Sequence, residues 1–129
     1  MKALYVAMIP VLLLLACRTV PTDIPEDLTQ PELIQLAQQA ADQENWAAAL
    51  AYYQAIVERY PEDRTAIAIA RYEMAFIEYR RGDLAAAETR FEELVAMYDD
   101  DSSSLPAWPL VLSQRIVGRI EEERGPDSR

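Results

Sequence analysis

Two stretches of the chain decide its fold: "ENWAAALAYYQAIVERYPED" at residues 44–63 and "GDLAAAETRFEELVAMYDDD" at residues 82–101. Set one above the other, they align at a constant offset of 38 residues. Trp46 falls on Leu84, Ala49 on Ala87, Tyr53 on Phe91, Ile56 on Leu94, Val57 on Val95 and Tyr60 on Tyr98. Upstream, Leu36 falls on Met74 and Ala37 on Ala75. Large and small residues returning in place at such a period mark a stacked repeat, in which one unit cannot bury its own apolar face and must lean on the next.

The elements around these stretches read as helices throughout, because the apolar positions follow helical spacing and nowhere alternate as a strand requires. A first helix runs from about residue 31, with Pro31 in its first turn, to about 42. Asn45 can cap a second helix that ends near Tyr60, before Pro61. A third runs over 64–81 and stops at Gly82, and Asp83 can cap a fourth that continues to Tyr98. After "DDDSSSLP" a fifth spans 107–124, with Trp108, Leu112, Ile116 and Ile120 expected on one stripe. Ala37 with Ala49, and Ala75 with Ala87, are expected where paired helices cross closely, so a larger side chain there should cost about 1–3 kcal/mol. Trp46 is expected to wedge between its helix pair, where full burial contributes about 4–6 kcal/mol.

The small residue in the first helix of each pair, the "GDL" turn, the small residue and aromatic in the second helix and the closing proline resemble tetratricopeptide (TPR) repeats. The resemblance covers residues 33–98 and implies an all-α fold of TPR-like helical hairpins, two repeats plus a C-terminal capping helix. The period exceeds the usual repeat by one helical turn. That lengthened form, and "NWAAALAYYQAIVERYP" in particular, is similar to the outer-membrane assembly lipoproteins of the BamD type. The chain departs from that group in having fewer repeats, and in placing Arg71 and Glu78 where a TPR usually has large apolar residues.

The N-terminus carries an address. Lys2 precedes an uncharged apolar stretch over residues 3–15, closed by Ala16 and the chain's single cysteine, Cys17. This is the layout of an export signal, too short for a spanning helix of about 20 residues. The segment "LLAC" resembles the lipobox of bacterial lipoproteins, which implies cleavage before Cys17 and acylation of that residue with diacylglyceryl and further acyl groups such as palmitate. More than one chain is needed for stable anchoring. Arg18 after the cysteine, by resemblance to enteric lipoproteins, favours the outer membrane on its periplasmic side. The domain boundaries expected are a signal peptide at 1–16, an acylated Cys17 and Pro-rich solvated tether at 17–31, a helical domain at 32–125 and a disordered tail at 126–129.

Beyond Ala16 the chain has 11 arginines against 22 carboxylates, a net charge of −11. That excess argues against nucleic acid and against docking on anionic lipid. With no histidine and one thiol, there is no Ser-His or Cys-His pair and no imidazole for zinc, so no enzyme activity, metal or cofactor beyond the covalent lipid on Cys17 is expected. "DDDSSS" lacks the spacing, glycine and closing glutamate of a calcium loop.

The TPR resemblance implies a partner-binding groove on the first helix of each repeat, comprising Ile69, Tyr72, Phe76, Tyr79 and Arg80 in the second repeat. The matching positions of the first are Ile34, Gln38, Ala41 and Asp42. The alternative is that helix one or helix five covers this face as core. The expected function is a membrane-anchored periplasmic scaffold that binds a segment of another envelope protein, an outer-membrane assembly component in the leading version. The alternatives are an adaptor for a periplasmic transport or cell-wall complex, a structural subunit that folds fully only with its partner and, from another class, a carboxylate- or metal-dependent enzyme.

Overall fold

The computed structural model describes residues 20–21, 23–100 and 104–125. It contains five helices: α1 (Gln30–Asp42), α2 (Trp46–Arg59), α3 (Arg64–Arg80), α4 (Leu84–Asp100) and α5 (Ala107–Arg124). Among the described residues there is no strand. The Cys17 lipidation site, the signal segment and residues 126–129 lie outside the described residues.

Local chemistry fixes the helix ends. Side-chain oxygens of Asn45, Asp63 and Asp83 accept from the amides of Ala48, Ala66 and Ala86, at 3.5, 2.9 and 3.2 Å. Each satisfies an amide that the first turn of a helix leaves without an intrahelical partner. Gly82 supplies the positive φ (82°) of the turn between α3 and α4. Its repeat counterpart, Glu44, takes φ 54°, a conformation uncommon outside glycine.

The helices pair as hairpins, α1 with α2 and α3 with α4, and the hairpins stack through α2 and α3. This is an all-α, TPR-like helical repeat. The core divides at α3. One side of α3, with Ala70, Met74 and Ile77, packs into a cluster with Leu33, Ala37, Ala49, Tyr53 and Ile56. The other side, with Ala68, Tyr72 and Ala75, packs with Ala87, Phe91, Leu94, Ile116 and Ile120. Ala37, Ala49, Ala75 and Ala87 all have no exposed surface.

Three expectations are corrected. The stretch 17–31 is not solvated throughout, because Ile24 and Leu28, four residues apart, pack against the first cluster. The Arg59 guanidinium donates to the carbonyls of Ile24 (2.6 Å) and Pro25 (2.7 Å), strapping this segment to the end of α2. The stripe of α5 is also displaced. Its buried positions are Pro109, Ser113, Ile116 and Ile120, while Trp108 is 40% exposed. Steps of four residues walk about 40° round a helix each time, so a stripe spaced strictly by four leaves the interface within three steps. Finally, Trp46 is half-buried at the start of α2, so its stabilisation falls short of the full-burial figure.

Two charged residues interrupt the TPR pattern. Glu78 is only 6% exposed, and its carboxylate meets Arg81 at 3.1 Å and Arg90 of α4 at 4.0 Å. Burial of a lone carboxylate would be costly, and two guanidinium groups offset that here. Arg71 lines a cleft between α2 and α4, beside Arg90 and Glu93.

Candidate functional site

The residues assigned to a groove on α3 divide in the structure. Tyr72, Phe76 and Tyr79, at i, i+4 and i+7, form a ladder of rings: Tyr72 stacks with Phe76 at 5.9 Å between centroids, and Phe76 with Tyr79 at 6.3 Å. Tyr72 is not available to a partner. It is 7% exposed, with Phe91 against it at 6.0 Å and Trp108 edge-on at 5.0 Å. Tyr72 is thus covered by α4 and, in part, by the fifth helix, whereas Phe76 and Tyr79 are half-buried and pack on the second cluster. Trp108 extends the ladder onto α5, so the accessible rings are Phe76, Tyr79 and Trp108.

Arg80 is exposed, with its guanidinium 4.8 Å from the ring centre of Trp46. A solvent-exposed cation over an indole contributes about 0.5–1 kcal/mol, so Arg80 links the end of α3 to the neighbouring hairpin while its outer side remains free to contact a partner.

Ile69 lies apart from the ladder. It lines a narrow slot of about 50 Å³ between α1 and α3, with Ile34 and Gln38 from α1, Tyr53 from α2 and Glu73 from α3. Desolvation in this setting raises the Glu73 pKa above the ordinary carboxylate value. Tyr53 is raised first by its own burial, then by the negative charges of Glu73 and Asp42; Tyr72 is raised by burial and then by Glu73. Glu73 is therefore a partly desolvated carboxylate beside apolar walls, suited to receive a hydrogen-bond donor or a cation. The sequence reading missed it and Trp108. Glu73 was legible in principle, because its i−4 and i+3 neighbours, Ile69 and Phe76, carry the groove pattern. Trp108 was concealed by an apolar spacing that read equally well as core.

Among the described residues, no group of three or more carboxylate or thiol side chains gathers to hold a metal ion. None of the described helices is long and apolar enough to cross a membrane. What the arrangement offers chemically is recognition: aromatic faces and a guanidinium along the ladder, and a carboxylate in the slot beside α1.

Comparison with known proteins places the repeat in a class. The tetratricopeptide-repeat family profile matches residues 33–63, which cover most of α1, all of α2 and the turn into α3. The chain thus contains a tetratricopeptide repeat within an all-α repeat fold. A protein of Treponema pallidum (strain Nichols), described as uncharacterized, is 30% identical over 100 residues, covering 76% of this chain and 40% of that protein. The chain therefore spans about two-fifths of that relative's length. No solved structure gives a significant match.

Proposed function

We propose that the chain is a lipid-anchored scaffold of the bacterial cell envelope, held by acylated Cys17 on the periplasmic side of the outer membrane, and that it binds a segment of another envelope protein. The observation that carries the binding role is the strip of Phe76, Tyr79 and Trp108 on the helical repeat, the first two half-buried and Trp108 exposed, with the exposed Arg80 next to Tyr79. Aromatic and arginine side chains are the usual anchors of protein interfaces, because they offer large contact area with few rotors to immobilise. Anchoring rests on the placement of the single cysteine after an apolar stretch, in the sequence alone. The finer version, an accessory role in outer-membrane protein assembly, rests on the resemblance of the 38-residue repeat to BamD-type lipoproteins. No catalytic step is proposed.

Two substitutions separate these parts. Cys17→Ser should shift the protein from the membrane fraction to the soluble periplasm or leave it unprocessed; processed protein retained in the membrane would refute the anchor. Tyr79→Ala with Trp108→Ala should abolish co-purification of whichever envelope protein the unaltered chain captures, with the circular dichroism spectrum unchanged. Undiminished capture by a folded double variant would refute the aromatic strip as the site. Identification of the captured protein as something other than an assembly component would discard the finer version alone.

A further inference from the structure

The geometry points to a second docking surface, at the outer face of α5, shaped to receive one helix of another protein that carries a small residue at its crossing point and a basic residue beside it. This inference rests on a different observation from the aromatic strip, although Trp108 of that strip lies one helical turn from Val111 on α5.

The argument begins with register. α5 begins 43 residues after α3, at Ala107 against Arg64. At that offset Ile120 falls on Ile77, Glu121 on Glu78, Arg124 on Arg81 and Gly125 on Gly82. The two glycines share a positive φ, 82° and 74°. Ser113 falls on Ala70, and both are buried. α5 is thus not a generic cap but a third copy of the helix that α3 represents.

On α3 the side formed by Ala68 and Ala75 is sealed by α4, and both residues have no exposed surface. The corresponding residues of α5 are Val111, which is 49% exposed, and Gly118, where an added Cβ would meet nothing within 4 Å. Among the described residues no helix covers this side. It opens instead into a groove of about 350 Å³ between α4 and α5, with Val95, Ala96, Val117 and Gly118 lining its apolar part.

Gly118 is informative because no packing among the described residues requires it. A glycine in a helix interior costs about 1 kcal/mol relative to alanine. In the filled site its counterpart Ala75 lies in the same cluster as Ala87 of the arriving helix. A bare backbone at Gly118 suits the same close approach by a helix from outside.

Charge selects the occupant. In the filled site Glu78 is met by Arg90 of the arriving helix and by Arg81. In the open site Arg124, the counterpart of Arg81, turns back to bind Glu88 of α4 through both guanidinium nitrogens. The charge of Arg124 also reaches Glu121 and Glu92, one cation set among these carboxylates and Glu88. The groove is edged by Glu121, Glu92 and Asp99, with no basic residue among its lining. A second copy presenting the same face would bring carboxylates together, in a chain of net charge −10. A basic helix meets complementary charge.

The probe is a fluorescent peptide of residues 84–100, the α4 sequence that fills the equivalent site, carrying Glu92→Lys, Glu93→Lys and Asp99→Lys and retaining Arg90. Added to the full chain, it should give saturable anisotropy that weakens with salt, and the unaltered acidic peptide should bind less tightly. Gly118→Leu should weaken the lysine peptide by about fivefold to a hundredfold, since overpacking of 1–3 kcal/mol translates to that range. The variant should fold normally because its side chain enters open space, which thermal melting checks. Tyr79→Ala, on α3, should leave peptide binding unchanged, keeping this surface distinct from the aromatic strip. No saturable binding of the lysine peptide, or equal binding by folded Gly118→Leu, would overturn the proposal. So would a concentration-dependent dimer of the chain that Gly118→Leu dissociates, because it would assign the face to a second copy.

Discussion

α3 and α5 are copies of one helix in different surroundings. α3 lies between two hairpins and buries both flanks: Ala70, Met74 and Ile77 on one, Ala68, Tyr72 and Ala75 on the other. α5 buries one flank through Ser113, Ile116 and Ile120, and leaves Val111 and Gly118 facing outward. Their shared register makes the difference meaningful, since a residue that is structural in α3 can be compared with its counterpart in α5 under nearly the same backbone geometry. Small residues in a repeat stabilise it only where another helix reaches them. Where none does, they are a cost that packing among the described residues does not offset.

The first way to break this comparison is to enlarge the shared small position. Ala75→Leu should destabilise the domain by about 1–3 kcal/mol, read as a lower urea midpoint, because Ala75 has no free surface and the incoming side chain must displace α4. The same measurement on Gly118→Ala should move the other way, by up to about 1 kcal/mol, since a helix gains propensity and the new methyl meets nothing. If both substitutions destabilise, α5 is as tightly covered as α3 and the contrast fails.

The smallest expected effect concerns the other side of α3. Burial raises the pKa of Glu73 above its ordinary 4.5, so its contribution to stability is fully present below that value and is lost as pH rises through the raised one. Glu73→Gln should therefore melt at a higher temperature than the unaltered chain at neutral pH, with the gap closing in acid. A gap independent of pH would mean that Glu73 is not desolvated in the slot beside α1.

The hairpins were legible in the sequence because every signal agreed there. Asn45 and Asp83 stand at matching cap positions, Ala37 and Ala75 at matching crossings, and Tyr53 and Phe91 at matching core sites. The all-α repeat and its helix boundaries followed from that consistency. The candidate site was less legible. Tyr72 and Phe76 carry the same helical spacing, and only the arrival of Trp108 from a distant helix buries one and spares the other. The strap at Ile24 and Leu28 was hidden for a similar reason: three prolines near it suggest an extended, solvated chain, while the donors that pin it come from Arg59, 34 and 35 residues away. The register of α5 on α3 was obscured by the change of offset from 38 to 43 residues, which a longer α4 and a longer connection after it introduce together.

Amide hydrogen exchange on the intact chain, followed helix by helix, tests the contrast most directly, because protection reports the free energy of local opening. The central amides of α3 should exchange slowest, held from both flanks. Those of α5 should exchange markedly faster, and should slow towards the α3 rate when the lysine-substituted peptide is added. Equal protection of α3 and α5 in the chain alone would contradict the reading of α5 as a repeat helix with an open flank.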